Sequence, residues 1–283
     1  MCRDYLTALL KTYWFAPPVA LWRAIELRVA AEEDYERPLL DLGCGDGLIA
    51  QILFGPQRPV EVGFDPWAEQ LQQAAHSTAY RHVDQADGHH LPYPDQSFAT
   101  AFSNSVLEHI PHVEPILHEV SRVLRRPDPT TEEAGGRFIF TVPSDAFRRQ
   151  LEGYIQRMEA GDAAGAEAYA TAVDERLAHH HYHTPQEWRT LLSAADLTLV
   201  KARYYIPEPV ERLWDRMNHR YGLGENRSIW SVLASPRLRP LGYQSLLQKI
   251  VVRHLSRRWR PYYEMDVPPG EKGGGLLIVA QRS

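Results

Sequence analysis

The residues best suited to hold a ligand through its main chain are Asp41, Gly43, Gly45 and Gly47, spaced as Asp-Leu-Gly-Cys-Gly-Asp-Gly. The apolar run Leu39–Leu42, broken only by Asp41, leads into the alternating glycines, and a helical pattern runs from Asp46 to Phe54, stopped at Gly55-Pro56. Glycine lets the backbone reverse tightly and lets a ligand approach it closely. In a parallel sheet such a turn lies at the carboxyl edge, where ligands bind. A second apolar run ends in Asp65, about twenty residues on, a position from which a carboxylate reaches ribose hydroxyls. Standing before Pro66, Asp65 also suits a helix cap. Two other nucleotide loops are disfavoured. The third glycine of a dinucleotide fingerprint would fall on Leu48, and no Gly-Lys-Ser/Thr is present.

Proton-transfer candidates are histidines. His109 follows Glu108, and His179-His180-His181-Tyr182-His183 form a cluster, from which His181 and His183 are candidate bases. Each histidine serves equally as a backbone-bonded or surface residue. No metal is expected, because adjacent side chains point apart and a metal needs converging ligands. Cys2 and Cys44 are too few for a disulfide framework or a cysteine-rich metal site.

Three stretches carry a family resemblance: Asp41–Gly47, Asp84–Phe98 and Asn104–Ile110, with Arg122-Val123-Leu124 behind them. Together they resemble the class I S-adenosylmethionine-dependent methyltransferases of the ubiquinone type. The resemblance is good over residues 37–143 and loose over 184–206 and 274–281. It implies S-adenosylmethionine as cofactor, with Asp41, Gly43, Cys44, Gly45, Asp65, Trp67, Asp87, Gly88 and Ser103 binding it. In that assignment Asp87 accepts the adenine amine, and the N–H of Gly88 or His89 meets a ring nitrogen, a chemically sensible pairing. Ala99 departs from the family, which usually has Asp there to start a strand. The Asn/Asp-Pro-Pro-Tyr/Phe of enzymes that methylate bases is absent: Ser103-Asn104-Ser105-Val106 stands in its place.

The resemblance also implies the elements that must position these residues. The implied fold class is α/β, a Rossmann-like, doubly wound, seven-stranded sheet whose last strand is antiparallel, with helical insertions over the carboxyl edge. Residues 1–36 form an N-terminal helical cap, two pieces divided by Pro17-Pro18. Residues 37–206 form the core, with an insertion at 144–183. Residues 207–273 are a helical insertion and acceptor lid, and 274–283 supply the last strand. Strands are expected at 39–42, 59–65, 98–103, 137–143, 197–205 and 274–280, and Pro127–Ala134 reads as a surface loop. Thr184-Pro185-Gln186-Glu187 is a capping box opening the helix to Ala195.

The chain of 283 residues is 44% hydrophobic, enough for a full α/β core. Its net charge of -5 argues against a broad basic surface for nucleic acid. No long apolar run predicts a transmembrane span or signal peptide, so the expected location is cytoplasmic. One stretch departs from the acidic average. Residues 241–263 combine Leu246, Ile250 and Leu255 with Lys249, Arg253, Arg257, Arg258 and Arg260, the pattern of a helix packed on the core or of one touching a membrane peripherally. Trp214, Tyr221, Trp230, Tyr243 and Trp259 in the same insertion suit an apolar pocket or the insertion's own core. The expected function is methyl transfer to a small-molecule acceptor, lipid-like or glycosyl-linked. A methyltransferase-like binding scaffold without catalysis is the alternative, and an NAD-dependent oxidoreductase a remote one.

Overall fold

A computed structural model describes residues 3–128, 130, 134–221, 232, 233, 235 and 242–283. Cys2, Trp230, Leu241 and half of the loop expected at 127–134 lie outside the described residues, as does the side chain of Tyr221. In chain order the elements are α1 (Tyr5–Thr12), α2 (Pro17–Ala30), β1 (Leu39–Leu42), α3 (Leu48–Phe54), β2 (Val60–Asp65), α4 (Ala68–His76), β3 (Tyr80–Gln85) and β4 (Thr100–Asn104). A 3-10 turn (Leu107–His109) follows, then α5 (Glu114–Val123), β5 (Arg137–Pro143), α6 (Phe147–Gln150), α7 (Glu152–Glu159), α8 (Ala163–Leu177), α9 (Pro185–Ala194) and β6 (Leu197–Tyr205). The chain closes with α10 (Glu208–Tyr221), α11 (Gln244–Arg258), α12 (Arg260–Glu264) and β7 (Gly275–Arg282).

The seven strands form one sheet in the order β3-β2-β1-β4-β5-β7-β6, with β7 antiparallel. β1 to β5 run parallel to one another, and Asp41 sits opposite Gly63 on one side and Phe102 on the other. All four residues of β1 are buried, as expected for a central parallel strand. β3 is different: an edge strand with no fully buried residue. The sequence reading placed no strand there, because an edge strand solvated on both faces lacks the apolar signal.

Other differences have local causes. The first helix of the core starts at Leu48 because Gly47, with φ +82°, takes the capping position. β4 starts at Thr100, since Phe98 instead bridges to Leu124. The two N-terminal helical pieces form as α1 and α2, and Pro17 and Pro18 open the second, in keeping with proline's tolerance in a first helical turn. The capping box at Thr184 forms: its hydroxyl accepts from the Glu187 N–H, whose carboxylate accepts from the Thr184 N–H.

The chain divides into two compact units. One comprises residues 30–145, 179–203 and 276–283 and holds the sheet. Tyr35, Phe54 and Phe102 pack edge to face in its core at 5.0–5.9 Å. The buried Glu33 carboxylate ties the start of β5 to the middle of β6 by accepting from Arg137 at 3.3 Å and Lys201 at 2.6 Å. The other unit comprises residues 1–29, 146–178 and 204–275 and is helical. Its centre is an aromatic trio, Trp22, Phe147 and Trp214, with ring centroids 5.1–5.8 Å apart.

Candidate functional site

The turn after β1 owes its shape to the end of β2. The N–H groups of Gly43 and Cys44 both donate to the Phe64 carbonyl, at 3.0 and 2.9 Å. One residue on, the Gly45 N–H donates to Asp65 Oδ2 at 3.0 Å, and the Trp67 N–H donates to Oδ1 at 2.9 Å. Asp65 is 5% exposed, so its charge is held by directional donors at the strand end. Each oxygen keeps a lone pair for a further donor.

Gly45, with φ +54°, is the position of closest approach. A Cβ built there would meet only the Gln70 side-chain oxygen, at 3.1 Å, so the space beyond the turn belongs to no packed side chain. Open main chain beside a buried carboxylate is what a ribose-bearing ligand needs, and S-adenosylmethionine fits this donor and acceptor set.

Behind the turn lies a support the sequence did not reveal. Tyr80, from β3, lays its ring against Gly63 and Gly47, where a Cβ would clash at 2.7 and 2.9 Å. Its hydroxyl donates to Asp41 Oδ2 at 2.6 Å. Burial pushes the Asp41 carboxyl up to about 7, with nearby Asp65 adding to the rise and the Tyr80 hydroxyl opposing it. The same low dielectric pushes the Tyr80 phenol well above its ordinary range.

Two members of the expected set offer the ligand no side chain. The Cys44 thiol packs with Leu71 and Ala74, and burial drives it far above the usual thiol range. Its N–H is already taken by Phe64, which leaves only its carbonyl. The fully buried Ser103 hydroxyl donates to the Leu42 carbonyl at 3.1 Å, a bond set by the pairing of those residues across β1 and β4. Trp67, by contrast, is 69% exposed. Asp87 is also solvent-facing: its Oδ1 accepts the His89 N–H at 3.0 Å and lies 2.6 Å from His89 Nδ1. Those bonds hold the Asp87 carboxyl below its usual range. Gly88 abuts Ile116, which would crowd an added Cβ at 3.2 Å.

The histidines separate into two groups. His109, on the 3-10 turn after β4, lies with Nε2 4.0 Å from Glu108 Oε1 and its ring 5.3 Å from His179. Donor atoms of Glu108, His109 and His179 all fall within 4.8 Å of one another, with Glu108 buried. His179 Nδ1 also lies 3.0 Å from the Tyr182 hydroxyl. His181 and His183 go elsewhere. They stack at 4.5 Å and pack edge-on against buried Trp188. His181 Nε2 lies 3.1 Å from the Ile110 carbonyl, and burial lowers both imidazoles below their ordinary range. That arrangement braces the loop after β4 and places neither ring with His109. Glu108 and His109 meet His179 from a distant segment, an approach that the spacing within 179–183 does not address. No sequence signal marked His179 apart from its neighbours.

Known proteins match this geometry. Residues 40–127 match the family described as "Methyltransferase domain". A 27-O-demethylrifamycin SV methyltransferase of Amycolatopsis mediterranei (strain S699) is 34% identical over 149 residues, 50% of this chain and 51% of that protein. The chain thus spans about half the length of that curated relative. A methyltransferase from Thermotoga maritima, described as a possible histamine N-methyltransferase, has the same fold, with a TM-score of 0.52 and 13% identity over 92% of this chain and 89% of its own. The [4+2]-cyclase SpnF shares it too, with a TM-score of 0.50 and 14% identity over 93% of this chain and 80% of its own. Residues 40–127 thus resemble a methyltransferase domain, a similarity that implies S-adenosylmethionine as cofactor, and the solved structures share the fold.

Proposed function

We propose that this chain, as a class I methyltransferase, transfers the methyl group of S-adenosylmethionine to a hydroxyl of a small-molecule acceptor. The observation that carries this reading is the buried Asp65 carboxylate bonded to the Gly45 N–H at the open side of the glycine turn. When bound, the cofactor supplies a methyl group on a sulfonium sulfur. Asp65 binds the ribose hydroxyls through its remaining lone pairs, and the turn from Gly43 to Gly45 admits the rest of the molecule against main chain. In this reading the exposed Trp67 ring stacks on the adenosine and the Oδ2 of Asp87 accepts the adenine amine. An oxygen acceptor is favoured by the 34% identical relative, whose name specifies an oxygen.

A hydroxyl must lose its proton as it attacks, so a base is required. His109 takes that role, receiving the proton on its imidazole while the buried Glu108 carboxylate stabilises the resulting imidazolium. The acceptor oxygen bonds to the methyl carbon as the carbon–sulfur bond breaks, its pair going to sulfur, so that the products are a methyl ether and S-adenosylhomocysteine. Holding the oxygen in line with that bond is the larger part of the work. The acceptor itself is lipid-like or glycosyl-linked.

A second reading rests on the convergence of Glu108, His109 and His179, a donor set that also suits a divalent cation. The test is turnover of labelled S-adenosylmethionine with hydroxylated acceptors, comparing His109→Ala, His109→Gln and chelator-treated wild type. The base reading expects both variants to lose turnover at least a hundredfold while binding cofactor normally. Full activity in His109→Ala would overturn it. Loss on chelation, restored by zinc, would favour the cation.

A further inference from the structure

We propose that α11 forms a docking surface for an anionic lipid bilayer. The evidence begins with its exposure pattern. Leu246, Lys249, Ile250, Arg253 and Arg257 face solvent at spacings of three and four that line one side of a helix, and Arg258 is exposed next to them. The opposite side packs against α1, where Gln248 Nε2 donates to the Lys11 carbonyl at 2.6 Å.

The stripe is cationic without compensation. No Asp or Glu occurs from Gly242 to Tyr263, although the chain as a whole carries a net charge of -5. Among the described residues, none of these four cations is ion-paired, whereas neighbouring Arg260 and Arg28 are, with Asp4 at 2.7 Å and Asp266 at 2.9 Å. An open groove of ≈ 500 Å³ runs along the stripe, bounded by Ile250, Arg253, His254, Arg257 and Arg258. Its size and charge fit a phosphate headgroup.

Two features favour a bilayer over a nucleic acid. Leu246 and Ile250, large aliphatics 60% and 54% exposed, share the face with the cations. Apolar and basic residues together let a helix lie in the headgroup region with its aliphatic side chains dipping below it. Single-stranded nucleic acid would instead call for exposed rings on which bases stack. Here Trp259 and Tyr263 are buried at 3% and 4% exposure and supply none.

The experiment is sedimentation of the full chain with phosphatidylglycerol–phosphatidylcholine vesicles and with phosphatidylcholine vesicles alone. Wild type is expected to sediment with the anionic vesicles only, and to be released as salt rises to about 1 M. Arg253→Gln, Arg257→Gln and Arg258→Gln together should weaken binding about a hundredfold, since each cation near such a surface is worth roughly a fivefold change in affinity. Leu246→Ser with Ile250→Ser should weaken it as well. Unchanged S-adenosylmethionine affinity in both variants reports that they fold. Wild type that ignores anionic vesicles, or a triple variant that binds like wild type, would overturn the proposal. An unchanged Leu246→Ser/Ile250→Ser variant, with wild type displaced by inorganic polyphosphate, would assign the stripe to a soluble polyanion and overturn it too.

Discussion

Both units of this chain bury carboxylates, and they use them differently. In the sheet unit, Asp65 and Asp41 lie on adjacent strands, held by main-chain N–H groups and by the Tyr80 hydroxyl, beside a turn whose near side is open. In the helical unit, Glu26 accepts from the Tyr205 hydroxyl at 2.8 Å and from Arg23 at 2.7 Å, and Asp215 accepts from the Gly153 N–H and the Tyr169 hydroxyl. Those acids fasten one element to another. Beside them Glu211 is fully buried with no hydrogen-bond partner on either oxygen among the described residues, and burial near Asp215 pushes its carboxyl far above the usual range. Burial of an acid therefore does not mark a ligand site. The mark is burial at the edge of a parallel sheet, with lone pairs left over and glycine main chain beside it.

That contrast can be broken by substitution. Gly45→Val should have the largest effect, with no measurable S-adenosylmethionine binding. The side chain would occupy the ligand's space and also strain a backbone at φ +54°. Normal cofactor affinity in a folded Gly45→Val chain would make the turn merely structural. Asp65→Ala comes next: a charge-assisted pair is worth roughly 1.5–3 kcal/mol, so affinity should fall about tenfold to a hundredfold with little change in melting temperature.

The remaining three changes act on stability and sharpen the comparison. Asp41 is raised to about 7, so the fold keeps a proton that the unfolded chain releases above its ordinary value of 3.8. Wild-type stability therefore falls as pH rises across that window, and Asp41→Asn should remove the fall. At pH 7 the variant should gain on the order of 3 kcal/mol, read by denaturant unfolding at several pH values. Glu211→Gln should behave likewise in the helical unit: stability at pH 7 rises, the gain fades toward pH 4.5, and cofactor affinity stays the same. If Glu211→Gln weakened cofactor binding instead, the division of roles would fail. Tyr80→Phe should be the mildest, costing about 1 kcal/mol of stability and lifting the Asp41 carboxyl further, because the bond it loses favours the ionised form.

How much of this was legible in the sequence depended on the range of the interaction. The turn from Asp41 to Gly47 and the acid at Asp65 announce themselves, because strand, turn and helix signals are all local. The Thr184 capping box is local too. Tyr80 was not legible: its ring reaches Gly47 and Asp41 only through the pairing of β3 with β2, and its own strand is a polar edge. Ser103 is instructive for the same reason. Its motif position suits a ligand contact, yet the strand register directs its hydroxyl to Leu42. His179 meets His109 across some seventy residues of chain, and nothing in a run of adjacent histidines tells which will turn inward. Among the described residues no helix is long and apolar enough to cross a membrane.

The central claim is that the turn after β1 holds S-adenosylmethionine. Titration calorimetry of the wild-type chain with S-adenosylmethionine and, separately, with NAD tests it most directly. The account predicts one-site binding of S-adenosylmethionine, competed by S-adenosylhomocysteine, and no heat with NAD. Binding of NAD with no response to S-adenosylmethionine would contradict it.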